Sequence, residues 1–289
     1  MMSNHELRAR AHKVIRPNLQ VLLVIALITA LPGLLSEVLI SLTGSDVWTY
    51  LYHAGLDTSA TVERLAEALE SYGAERGWIV AALYVMQALV TPVLVLGLIN
   101  ATLTLLRGGT AVTSTAFSRL GAFGRSVRLT LLMAVKFFLW MLPGVAVTVV
   151  TAFLGETAFV LGFSVGSLLM SVLLLLAYYR YSMAAFFLAD DPGLGARACI
   201  RQSKAVMKTR KMQLFSLEVP YLLVTMLVDA LVASILPGTI GFAIDMLVGL
   251  VITVYLYGAR CAFFEAYSRP DGGRAHAFQS DPYHTEMKE

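Results

Sequence analysis

Trp78–Leu106 reads WIVAALYVMQALVTPVLVLGLINATLTLL, 29 residues without one Asp, Glu, Lys, Arg or His. Crossing the hydrocarbon core of a bilayer takes about 20 apolar residues in a helix. A helix apolar on every side belongs either in the core of a large protein or in lipid. The stretch stops abruptly at Arg107-Gly108-Gly109, and the next charges, Arg119, Arg125 and Arg128, are all basic. It reads as a transmembrane helix ending on a basic loop. Pro92 within it is compatible with that, because neighbouring groups in a membrane bundle take up the carbonyl that proline leaves free.

Working outward, five further apolar runs occupy 19–42, 129–153, 158–188, 214–236 and 240–267, with Pro32-Gly33, Pro143 and Pro220 inside them. Only 14% of the chain is charged, against about 25% in soluble domains, and its mean hydropathy is +0.72. That is too little charge to wet a globule. The fold class expected is therefore all-α, a polytopic transmembrane bundle of six crossings. A single transmembrane domain takes up 1–268, and 269–289 is a flexible cytoplasmic tail. The run 19–42 is too long for the apolar part of a cleaved signal peptide and is expected to persist as a helix.

Loop charges set the orientation. Arg8, Arg10, Lys13 and Arg16 precede the first run, whereas the loop 43–77 is dominated by Asp46, Asp57, Glu63, Glu67, Glu70 and Glu75. The following loop is purely basic, and the short turn at Gly155-Glu156 has no base. The segment 197–211 is basic again, and the turn at Pro237-Gly238 is not. Lys and Arg mark cytoplasmic loops. Both termini are thus expected inside the cell membrane of a prokaryote, with Trp78 at the outer interface and Tyr178, Tyr179, Tyr181 and Tyr267 at the inner one. Cys199 and Cys261 fall toward the cytoplasm, where disulfides are rare, and read as free thiols or small packing residues.

Two loops carry amphipathic patterns. Arg197, Arg201, Lys204, Lys208 and Lys211 share one stripe, and Ala196, Cys199, Ile200, Ser203, Val206 and Met207 another. This predicts a basic helix in the inner interface, touching anionic lipid headgroups. In the acidic loop, Val62, Leu65, Ala66, Leu69 and Tyr72 line up, and Thr58 or Ser59 is placed to cap that helix. Basic segments before three of the runs suggest three helix-plus-hairpin units, 1–106, 107–193 and 194–268, about an axis along the membrane normal. The other reading is that charge bias alone makes all cytoplasmic loops look alike.

Candidate chemistry is sparse. Gly162-Phe163-Ser164-Val165-Gly166 fits the G-x-S-x-G elbow of hydrolases, but the motif needs a strand-to-helix turn and a histidine base. Here it sits inside an apolar run, and Ala158, Gly162 and Gly166 at four-residue spacing suit close helix packing instead. No zinc-ligand spacing or phosphate-binding glycine loop occurs, so no cofactor, no metal and no catalytic group is expected. Ionisable groups within spans usually face a partner or a cavity. Lys136 and Glu218, each on the order of 10 Å inside the inner boundary at 1.5 Å per residue, are placed to pair. Glu37, Asp229 and Asp245 lie near the outer ends of their runs and are placed to form an acidic vestibule, or to be solvated separately. Arg180 and Arg260, near the inner face, suit Glu265 or lipid phosphate.

Several short motifs carry a resemblance. They are Leu7-Arg8-Ala9-Arg10-Ala11, Leu142-Pro143-Gly144, Tyr179-Arg180-Tyr181-Ser182, Leu188-Ala189-Asp190-Asp191-Pro192, Ile200-Arg201-Gln202-Ser203, Met207-Lys208 and Ala262-Phe263-Phe264-Glu265. With these the chain resembles the family of prokaryotic membrane proteins catalogued as domain of unknown function 975. It departs at Thr209, where the family favours glycine, and in a longer stretch between Pro143-Gly144 and Tyr179. The resemblance implies the architecture and no general activity.

The function expected is that of a non-enzymatic membrane protein that handles or senses a lipid, peptide or other amphiphile. The alternative is an accessory subunit that acts by binding another membrane protein. Membrane lipids are the expected partners, and nucleic acid is not. The topology is testable by labelling single introduced cysteines after Cys199 and Cys261 are replaced. Positions 60–70 should react from outside intact cells, and positions 275–285 only after permeabilisation. Outside labelling of the tail would break the six-crossing topology.

Overall fold

Backbone in hydrocarbon has to satisfy its own hydrogen bonds, and a lone apolar run does so by becoming a helix. The computed structural model describes residues 2–47, 50–51, 62–235 and 239–268. Among the described residues the helices are α1 (Asn4–Ile15), α2 (Leu19–Leu42), α3 (Val62–Tyr72), α4 (Trp78–Leu106) and α5 (Phe123–Ala152). They continue as α6 (Glu156–Tyr181), α7 (Ala184–Asp190), α8 (Ala196–Met207), α9 (Lys211–Ile235) and α10 (Thr239–Tyr267). Six helices, α2, α4, α5, α6, α9 and α10, are long and apolar enough to cross a membrane. The architecture is that of a multi-pass membrane bundle.

Three boundaries differ from those read in the sequence. The run 158–188 is two helices, because α6 ends at Tyr181 and α7 starts at Ala184. Ser203 of α8 explains the break: its Oγ donates to Arg180 O and accepts from Met183 N–H, both at 3.2 Å, satisfying backbone groups that the interruption leaves open. The basic helix stops at Met207, so Lys208 caps it and Lys211 opens α9. The five bases therefore do not share one helix. Helix α5 begins at Phe123, ahead of the apolar run, and carries Arg125 and Arg128 on its first turns.

The start of α1 is a capping box: Glu6 N–H donates to Ser3 Oγ at 3.2 Å, and Ser3 N–H donates to Glu6 Oε2 at 2.7 Å. The turn between α5 and α6 closes on Gly155, whose φ of 104° suits a residue without Cβ. The cap expected at Thr58 or Ser59, the turn at Pro237-Gly238 and the tail 269–289 lie outside the described residues. In α3, Ala68 is buried and Leu69 exposed, so the buried side is turned slightly from the stripe expected.

The spanning helices associate in pairs, α2 with α4, α5 with α6, and α9 with α10. The basic segment before each pair rests on the pair before it. A 3-10 turn at Thr113–Phe117 lies on α2 and α4, α8 lies on α5 and α6, and α1 lies on α10 and α9. The arrangement closes on itself. Glycines mark the tightest seams. A Cβ on Gly97 would stand 2.0 Å from Ala116 O, and one on Gly258 2.1 Å from Ile15 Cδ1. Between α5 and α6, a Cβ on Gly162 would meet Thr151 Oγ1 at 1.8 Å, and one on Gly166 would meet Thr148 Oγ1 at 2.3 Å. The glycines of the G-x-S-x-G motif thus serve packing. Ser164 is exposed and donates within its own helix to Val160 O.

The core lies toward the basic end, where Leu7, Ile15, Leu22, Ile99, Phe186 and Phe263 are fully buried. Toward the opposite end the helices expose apolar side chains such as Leu42, Phe153 and Ile235. A surface of that kind suits lipid. Trp78 is exposed as expected, but Tyr179 and Tyr181 are buried in the core rather than presented at an interface. Tyr267 is also engaged: its hydroxyl donates to Met2 O and accepts from Gln213 Nε2, and Arg210 lies 3.8 Å from its ring centre.

Gly97→Ala should cost about 1–3 kcal/mol through overpacking, because the Ala116 backbone cannot give way as a side chain would. Gly124→Ala, with open space around it, should be neutral or slightly stabilising. Melting temperatures of the detergent-purified variants check this, and equal values for both would contradict the seam.

Candidate functional site

Two polar junctions tie the basic end together. Arg107, the residue that ends α4, donates from Nε to Glu265 Oε1 of α10 at 2.7 Å. Its Nη2 reaches the same carboxylate and lies 2.6 Å from Asp190 Oδ1 of α7. Burial alone would lower the pKa of the guanidinium. The hydrogen bonds and charges of Glu265 and Asp190 outweigh it and hold the pKa above its ordinary value. Close by, Arg119 Nη2 donates to Asn100 Oδ1 at 2.7 Å, and Asn100 Nδ2 to Ser118 Oγ at 3.0 Å.

In the second junction Arg260 Nε donates to Glu218 Oε1 at 2.8 Å, and Tyr179 Oη donates to Glu218 Oε2 at 3.1 Å. The Tyr178 hydroxyl accepts from Arg260 Nη2. The ion pair expected between Lys136 and Glu218 is corrected accordingly. Helix α9 packs on α10 and α6, which turns Glu218 toward Arg260. Lys136 sits half-buried on α5 and takes no part. Of the two roles expected for Arg260, the pairing with Glu265 is corrected: Arg260 is engaged by Glu218, and Glu265 by Arg107.

The other candidates divide. Asp229 and Asp245 are brought within hydrogen-bonding reach of each other across α9 and α10, while Glu37 stands exposed on α2. Arg197, Arg201 and Lys208 are exposed, Arg180 and Lys211 are half-buried, and Lys204 Nζ lies 5.6 Å from the Tyr181 ring centre. The apolar stripe of α8, with Cys199, Ile200 and Met207, is turned toward the bundle and buried on α5, α6 and α7. Both cysteines are free and buried, and burial pushes the Cys199 thiol up.

A feature that no motif announces is a cavity of about 610 Å³ between α4 and α5, with Ala185 of α7 in its wall. Its apolar lining includes Pro92, Leu96, Leu129, Met133 and Phe137, and its polar groups are Tyr84, Gln87, Thr91, Ser126 and Thr130. Alanines 88, 134 and 185 make room, and Pro92 interrupts the α4 hydrogen-bond ladder beside it. Thr91 Oγ1 is buried without a hydrogen-bond partner, a cost normally met by a partner atom. The hints in the sequence were Gln87 and Thr91-Pro92 inside a mostly apolar run.

The family described as "Protein of unknown function (DUF975)" matches residues 1–268, and the chain belongs to it. Comparison with curated proteins and with solved structures finds no match.

Removing one member of a buried pair costs about 3–5 kcal/mol, since the other charge is left alone. Glu218→Gln should therefore lower thermal stability sharply, and in a double-mutant cycle it should couple to Arg260→Gln but add independently to Lys136→Gln. Coupling to Lys136 in place of Arg260 would contradict the arrangement.

Proposed function

We propose that this family member is a non-enzymatic, multi-pass protein of the cell membrane that holds one amphiphile in the α4–α5 cavity. The cavity itself carries the reading. Ligand sites are typically concave, mostly apolar and supplied with a few polar groups, in volumes of about 300–1,000 Å³. This one has the volume, the wall and an unpartnered buried hydroxyl at Thr91. It follows about three turns of each helix, Tyr84 to Leu96 on one side and Ser126 to Phe137 on the other, which suits an extended chain. Arg128 is exposed near Ser126 and would favour an anionic head at the basic end.

On the charge rule the basic end is cytoplasmic, as are both termini. The three pairs and their leading segments are then three repeated units about an axis along the membrane normal, with the cavity opening at the seam between the first and second. The exposed bases of α8 would add a diffuse attraction for anionic headgroups, about 1 kcal/mol for each base near the surface.

Native mass spectrometry of protein extracted from its membrane tests this. Ala134→Trp and Ala88→Phe fill the cavity and should reduce retained lipid-like adducts several-fold while the fold persists. Unchanged retention in both variants, or a stoichiometric protein partner in place of any amphiphile, would favour the accessory-subunit reading.

A further inference from the structure

A second hollow, of about 500 Å³, lies where α1 meets α9 and α10, with polar side chains set around a lining that is apolar over most of its area. His5, Arg8, Ala9 and His12, on one face of α1, meet Tyr221 of α9 and Tyr255 of α10. The chain builds this face through Pro220. Proline has no N–H to offer, so Ser216 O, four residues earlier, loses its helical partner. Arg8 Nη2 supplies one, donating to Ser216 O at 2.7 Å and to Leu217 O at 3.2 Å. The guanidinium is thus anchored by one nitrogen, and its Nε is buried with no hydrogen-bond partner among the described residues.

The surrounding groups are donors too. The His12 ring stacks on Tyr255 with centroids 5.6 Å apart, and the hydroxyls of Tyr221 and Tyr255 have no hydrogen-bond partner among the described residues. Among the described residues no carboxylate lines the hollow. Glu6 caps α1 with Ser3, and Glu218 is turned away toward Arg260. Directly after Tyr221, Leu222 and Leu223 of α9 are exposed. The hollow therefore lies at the edge of the lipid-facing belt.

We propose that this hollow binds a phosphate-type oxyanion, the group shared by phospholipid heads and free phosphate. A planar guanidinium, two phenol hydroxyls and two imidazoles stand around it, with no opposing acid among the described residues. Charge-assisted hydrogen bonds to phosphate are among the strongest a protein makes, and Arg fits its geometry. Ala9, with only a methyl side chain, leaves room for a tetrahedral group. The site is separate from the α4–α5 cavity and does not rest on the function proposed for it.

The full-length chain in a neutral, phosphate-free detergent is titrated with phosphatidylglycerol and, separately, with inorganic phosphate. Retained adducts are read by native mass spectrometry and protection by the melting curve. Tyr221→Phe with Tyr255→Phe keeps both rings and removes both hydroxyls. The wild type should hold phosphatidylglycerol, inorganic phosphate or both, and the double variant should bind at least about tenfold more weakly. Lipid binding without phosphate protection assigns the site to headgroups, and the reverse assigns it to free phosphate. Should the double variant fail to fold, His5→Ala, at the exposed start of α1, replaces it and should weaken binding in the same direction. No binding by the wild type, or binding unaltered in the folded variant, overturns the proposal.

Discussion

Arg107 is the residue on which the arrangement of this bundle turns. Helices in lipid gain nothing from hiding apolar surface from one another, so their order comes from close packing and polar links. Arg107 ends α4 and binds Glu265 of α10 and Asp190 of α7, which joins the first and third helix pairs, and the short helix that follows the second pair, at one guanidinium. Glu218, Arg260, Tyr178 and Tyr179 make the second link, between α9, α10 and α6. Such buried charges add little net stability but are costly to leave unpaired. They therefore disfavour any arrangement in which the three carboxylates lose their arginines.

With the basic end fixed in this way, the rest of the bundle has freedom to differ. Helices α5 and α6 are joined tightly through Gly144, Gly162 and Gly166, and this pair touches α4 only lightly. The α4–α5 cavity occupies that gap. Its wall includes Ala185 of α7, and the same short helix carries Asp190 to Arg107. An occupant pressing on α7 would thus act on the junction as well as on the cavity. Arg8, anchored on the carbonyl freed by Pro220, holds α1 on the third pair in a similar way.

The spans were legible in the sequence because apolar length alone specifies a crossing. The family resemblance was legible because its motifs cluster at the basic end, where Arg8, Asp190, Ser203 and Glu265 make specific bonds. Partners were harder to read. Glu218 and Lys136 have similar depths, but depth says nothing about azimuth, and only the rotation of α9 about its axis selects Arg260. The end of α6 was hidden because its interruption is compensated from a distance by Ser203. The cavity was hidden as well, since it arises from what α4 and α5 fail to fill. The hollow at Arg8 required knowing that α1 folds back on α10, which no local pattern encodes.

The most direct test of the account is a density map of the full-length protein in a lipid nanodisc, viewed between α4 and α5. That map should show elongated non-protein density along Phe137 and Pro92 with a polar end near Thr91 or Ser126, and Arg107 still bridging Asp190 and Glu265. A closed seam, with Phe137 and Met133 packed directly on α4 and Thr91 Oγ1 bonded within the protein, would contradict it.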